Sequence, residues 1–97
     1  MLVTDVEAFQ EILHRYASIR RFDAIQPVFD ALFGIVEAVF SIHTDDVLAA
    51  KDVLATHQML QARDALHVAV MRREGVTRIL TYDRAFDAVR GIERISA

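Results

Sequence analysis

Three acidic residues stand where chemistry could be done: Glu11 in QEIL, Asp64 in ARDALH and Asp83 in TYDRAFD. An open α/β sheet places its ligands around the carboxyl ends of strands and the helices that follow them, and these acids fall at such places. Three carboxylates in a chain without cysteine form an all-oxygen donor set, which suits magnesium or manganese. A cation held there could activate water and neutralise a phosphodiester during hydrolysis. Each acid also has a plainer reading. Asp64 could be a carboxylate favoured by the dipole of its own helix, Glu11 a solvated residue four positions after Glu7, and Asp83 a turn-former. Other chemistries have less support. His14, His43, His57 and His67 lack metal-ligand spacing within any one helix, which disfavours zinc. No serine and histidine arrangement suggests a nucleophilic triad, and no glycine-rich phosphate loop is present.

The elements that must position these acids are legible in the hydrophobic spacing. Met1 to Val3 reads as the end of a strand, and Thr4 with Glu7 matches a capping box for a helix starting near Asp5. Phe9, Ile12, Leu13, Tyr16 and Ile19 give that helix an apolar face. A second helix is predicted from Asp23 to Phe33, with Pro27 in its first turn and Gly34 ending it. EAVFSI reads as a strand, and Thr44 caps a third helix through DDVLAAKDVLATH, whose buried stripe is Val47, Leu48, Leu54 and nearby alanines. ARDALHVAVMRRE is a fourth helix stopped by Gly75, and it is apolar on most sides, so it should pack centrally. TRILTYD reads as a strand ending at Asp83, AFDAVRG as a helical turn and IERIS as a closing strand. Alternating strands and helices predict an α/β domain with a mainly parallel sheet and right-handed crossovers.

Composition sets the outer bounds. Ninety-seven residues make one domain, and 54% hydrophobic residues supply enough apolar material for a core. The absence of cysteine points to a reduced, cytoplasmic compartment. The opening MLVTDVEAFQ has neither the basic flank nor the apolar run of a signal peptide. The apolar stretch from Val28 to Ile42 carries Asp30 and Glu37, so no membrane span is predicted. Net charge is −3, but residues 63–97 hold seven arginines against five acids. Arg63, Arg72, Arg73 and Arg84 are candidate phosphate contacts, since the planar guanidinium suits phosphate; ordinary exposed arginine explains them equally well.

FQEILHRY, then ARDALHVAVMRREGVTRILTYDRAFD, then IERI resembles a PIN domain of the VapC toxin type, and the run from Ala62 to Asp87 carries most of that likeness. The resemblance implies a PIN-like three-layer α/β fold and a magnesium- or manganese-dependent endoribonuclease. It further implies a toxin, with RNA as substrate and a cognate antitoxin as partner. It maps the acidic cluster onto Glu11, Asp64 and Asp83, with Asp87 a nearby acid of weaker standing. One departure stands out: the family opens with a strand ending in an aspartate, in a context like DTNV, and residues 1–97 contain no counterpart. Asp5 aligns better with the helix cap after the family's second strand. The reading is therefore of an N-terminally truncated domain whose activity is impaired by loss of the first acidic ligand. That first strand lies in the middle of the family's sheet, so open strand edges and a homo-oligomer are expected. The alternative function is a non-catalytic PIN remnant that keeps an interaction or antitoxin-binding surface, for which the apolar residues of Phe22 to Phe33 are candidates.

Overall fold

In the computed structural model, which describes residues 2–81 and 83–95, pairs of α-helices separate the first three strands and a 3-10 helix precedes the fourth. Met1, Tyr82 and Ser96, which the sequence reading assigns to strands, lie outside the described residues. The chain divides into two compact units at the boundary between Ile42 and His43.

The first unit runs strand β1 (Val3–Asp5), helix α1 (Val6–Ser18), a 3-10 turn (Phe22–Ala24), helix α2 (Ile25–Ile35) and strand β2 (Ala38–Phe40). The two strands pair in parallel, with Val3 opposite Ala38 and Asp5 opposite Phe40. Parallel strands need a crossover, and α1 and α2 supply it. Phe9 is the buried anchor of α1; its ring lies edge-on to Phe29 at 5.0 Å and tilted against Phe33 at 4.5 Å. The predicted apolar face of α1 is narrower than its spacing implies, since Leu13 and Ile19 are 45% and 57% exposed. Two cap assignments also change. Thr4 sits in β1, and the cap of α1 is Asp5, whose Oδ1 accepts from the Glu7 N–H at 3.0 Å. Gly34 does not end α2: it lies within the last turn, and the Val36 N–H closes the helix on the Leu32 carbonyl at 3.2 Å. Only a left-handed residue at that point would have required glycine, and the glycines with positive φ are Gly75 and Gly91.

The second unit runs helix α3 (Thr44–Thr56), helix α4 (Ala62–Glu74), strand β3 (Arg78–Leu80), a 3-10 helix (Arg84–Ala88) and strand β4 (Glu93–Ile95). Its core is centred on α4, as the sequence predicts: Ala65 and Val68 are fully buried, and Val70 and Ala69 nearly so. Around them lie Ala50 and Val53 of α3, Leu60, Phe86, Val89 and Ile92. Small residues on both helices permit the close approach that buries a helix on most sides. Gly75 ends α4 in the left-handed conformation at φ 71°, while the Val76 N–H reaches back to the Met71 carbonyl at 2.8 Å.

Helix α3 keeps Leu54 and Ala50 of its predicted stripe against the core but turns Val47 and Leu48 out. Val47 and Leu48 are each 53% exposed, and the buried face is Asp46, Ala50 and Val53. A buried carboxylate shares this face: Asp46 meets Arg73 of α4 at 2.8 Å. Nor does Thr44 cap the helix; it is the first helical residue, and Asp46 accepts from the His43 N–H at 2.8 Å. Strand β3 stops at Leu80, short of Asp83, and pairs in parallel with β4 through Ile79 opposite Arg94. Every described strand pairing is parallel, as predicted, in two separate two-stranded ladders, one in each unit.

Candidate functional site

Glu11 stands in the second turn of α1, half-buried, in the first unit. Its backbone is placed by the Asp5 cap, and Asp5 is itself only 5% exposed. Loss of such a cap costs about 1 kcal/mol.

Asp64 and Asp83 belong to the second unit, and both are held by local hydrogen bonds. Asp64 is the third residue of α4; its Oδ2 accepts from the Gln61 N–H at 3.2 Å, which satisfies one of the helix's orphan donors. The following Ala65, fully buried, fixes the backbone beneath it. Asp83 caps the 3-10 helix: its Oδ1 accepts from the Ala85 N–H at 2.9 Å, and its own N–H donates to Thr81 Oγ1 at 3.1 Å. The plain helix-charge and turn-former readings therefore describe real contacts of these acids, but each carboxylate commits only one oxygen to them. The second oxygen of each has no protein donor among the described residues. An oxygen donor on a carboxylate already fixed by its partner oxygen is what a hard cation takes as a monodentate ligand, so the donor chemistry fits magnesium or manganese. Among the described residues, no three histidine, aspartate or glutamate side chains are gathered into a metal cage.

The candidate RNA-contacting arginines differ in how far they are committed. Arg73 donates from Nε to Asp46 and also pairs with Glu74. Arg72 donates to the Arg90 carbonyl at 3.0 Å. Arg63 and Arg84 lie exposed, in the first turn of α4 and the first position of the 3-10 helix. The sequence reading missed two ion pairs. Arg73 hydrogen-bonds Asp46 and holds its carboxyl below the usual carboxylate range, against the opposing effect of burial. Arg94 does the same to Asp87, with Nε and Nη2 on the two carboxylate oxygens at 2.7 and 3.3 Å. The members of the first pair are 27 residues apart in the chain, beyond the reach of any local motif.

Comparison with known families decides what the fold is: the model of the PIN domain matches residues 1–92, and so spans both units. The chain belongs to the PIN domain family. A VapC ribonuclease of Mycobacterium bovis and ribonuclease VapC13 of Mycobacterium tuberculosis are each 52% identical to it over 95 residues, covering 98% of this chain and 72% of theirs. Ribonuclease VapC23 of M. tuberculosis is 37% identical over 82 residues, covering 84% of this chain and 64% of its own. No solved structure matches. The resemblance read from Ala62 to Asp87 is therefore correct, and this is an α/β PIN domain of the VapC type, with parallel strand pairs and four α-helices. No described helix of the PIN domain is long and apolar enough to cross a membrane.

Proposed function

We propose that residues 1–97 act as one PIN domain and that this domain is a divalent-metal-dependent endoribonuclease, the toxin of a toxin–antitoxin pair. The observation that carries the reading is 52% identity over nearly the whole chain to proteins named as VapC ribonucleases. The capped carboxylates of Asp64 and Asp83 support it, because two carboxylates each fixed through one oxygen lose little freedom on taking up a cation. In this reading Glu11, Asp64 and Asp83 hold magnesium or manganese. When bound, the metal supplies a lowered pKa for water and charge neutralisation at the scissile phosphate.

The residues of the chain then divide the remaining work. Asp64 and Asp83 each leave one oxygen for the cation because the other is tied to a backbone N–H group. Arg84, exposed at the start of the 3-10 helix, takes an RNA phosphate, with Arg63 as a further candidate; Arg72 contributes through the donors that the Arg90 carbonyl leaves over. Arg73 serves the α3–α4 pair first, and its share in RNA binding is the smallest of the four. An antitoxin and a second copy of the chain are the protein partners of this reading.

The test is cleavage of a mixed RNA pool in manganese or magnesium by the full chain, beside Asp64→Asn and an EDTA control. Removing a ligand should cost about 100-fold or more in rate, as loss of several kcal/mol of transition-state stabilisation implies. Cleavage that persists in EDTA would reject the metal mechanism. A folded parent without cleavage would favour a non-catalytic interaction module.

A further inference from the structure

The 3-10 helix that Asp83 caps is anchored in the core by Phe86, and one side chain of strand β4 reaches both flanks of the Asp83 turn. Arg94 lies on β4, opposite Ile79 in the ladder, and its side chain is only 16% exposed, while that of Asp87 is 53% exposed. Three of its nitrogens are engaged. Nε and Nη2 grip Asp87 at the far side of Asp83, and Nη1 reaches the Thr81 carbonyl on the near side at 3.4 Å. Thr81 is itself attached to the ladder, its N–H donating to the Ile95 carbonyl at 3.1 Å. Between these two anchors the described contacts of Asp83 are local: Thr81 Oγ1 for its N–H, and the Ala85 N–H for its Oδ1. Hydrogen bonds spanning two residues hold a turn's shape without fixing where the turn sits. Beside the buried Phe86, the Arg94 fork supplies a second fixed reference, because a bidentate guanidinium–carboxylate pair has a defined plane and separation.

We propose that Arg94, through Asp87, is a positioning residue for Asp83, aligning its second carboxylate oxygen for a divalent cation. The inference rests on the reading of Asp83 as a metal ligand, and it gives Asp87 a different role from that of a further ligand: both of its oxygens are occupied by Arg94. The pair has a second property. Its charges cancel, so a guanidinium is placed near a cation site without adding net positive charge there.

That cancellation separates positioning from simple electrostatics. If only charge mattered, Arg94→Gln would release a carboxylate beside Asp83 and tighten cation binding, whereas Asp87→Asn would release a guanidinium and weaken it. Positioning makes both variants weaken binding, by about 10–100-fold, the range for groups that orient a metal ligand. The measurement is titration of the full chain with Mn2+ alone, following free Mn2+ by electron paramagnetic resonance, with Asp83→Asn and Arg94→Lys alongside. Arg94→Lys keeps the charge but not the fork, so it should behave like Arg94→Gln. Amide exchange at Asp83 and Ala85 should quicken in the Arg94 variants while exchange in α4 stays at the parent rate.

Arg94→Gln that binds Mn2+ as tightly as the parent, or more tightly, while Asp83→Asn binds weakly, would overturn the proposal and leave the metal site standing. Parent-like binding by Asp83→Asn would instead overturn the assignment of Asp83, and the proposal with it. Should Arg94→Gln fail to fold, Asp87→Asn and Arg94→Lys decide: both weakened supports positioning, and parent-like binding by Arg94→Lys rejects it.

Discussion

Among single residues, the arginines offer the sharpest discrimination, because the structure separates them by how far each is already committed. Arg84 is exposed at the first position of the helix that Asp83 caps, and among the described residues it has no hydrogen bond to an acid. If it contacts RNA phosphate, Arg84→Ala should weaken binding about equally across RNA sequences and reduce the salt slope by about 0.7, the value for one phosphate contact on a single strand. An unchanged slope would return Arg84 to the ordinary solvated surface. Equal treatment of the four candidates in the sequence was unavoidable, since nothing local distinguishes Arg72 or Arg73 from Arg84. Their difference comes from the Arg90 carbonyl and from Asp46, groups brought in by folding.

Pairs of elements depend on contacts that the helical periodicity did not mark. Asp46 joins the start of α3 to the end of α4, accepting from Arg73 Nε and from the His43 N–H. Its pKa is lowered in the folded chain, first by the Arg73 hydrogen bond. The stability it contributes is therefore complete above the unfolded value, about 3.9 for aspartate, and is lost as pH falls through the lower folded value. Asp46→Asn should flatten the acid limb of stability below about pH 5 and lower stability at neutral pH. Urea midpoints from pH 7 down to 2 would check this; a parent-like acid limb would show that Asp46 adds no pH-dependent stability. By contrast, the cross-strand pair of Arg78 and Glu93, 3.8 Å apart and largely exposed, should contribute little.

For the molecule as a whole, stability in the second unit rests on one cluster around α4, drawn from α3, the 3-10 helix and the turns beside it. Phe86 is its largest buried member at 3% exposure, and it lies in the same 3-10 helix that begins at Arg84 and follows Asp83. Phe86→Ala should cost about 3–5 kcal/mol, the range for emptying a phenylalanine site. Chemical denaturation would measure the loss, and a change under about 1 kcal/mol would mean that the cluster collapses around the gap. The same substitution removes the anchor beneath the Asp83 turn, so stability and the candidate site share this element.

The order and type of the elements were written in the sequence, because helical and strand periodicity, the left-handed glycine at Gly75 and the apolar run of α4 are local properties that neighbouring residues express together. The same holds for family membership, carried by the run from Ala62 to Asp87. The sequence also supplied Glu11, Asp64 and Asp83 as candidates through the resemblance, and the capped geometry of the last two fits the turn and helix-start readings made from position alone. Tertiary structure decided what lies far apart in the chain: which face of α3 turns inward, where Arg73 is spent, and how Arg94 reaches both Thr81 and Asp87. The Asp46–Arg73 pairing follows from the cost of burying a charge without its partner. For buried Asp46 that cost is settled only when the fold brings in Arg73 from 27 residues away.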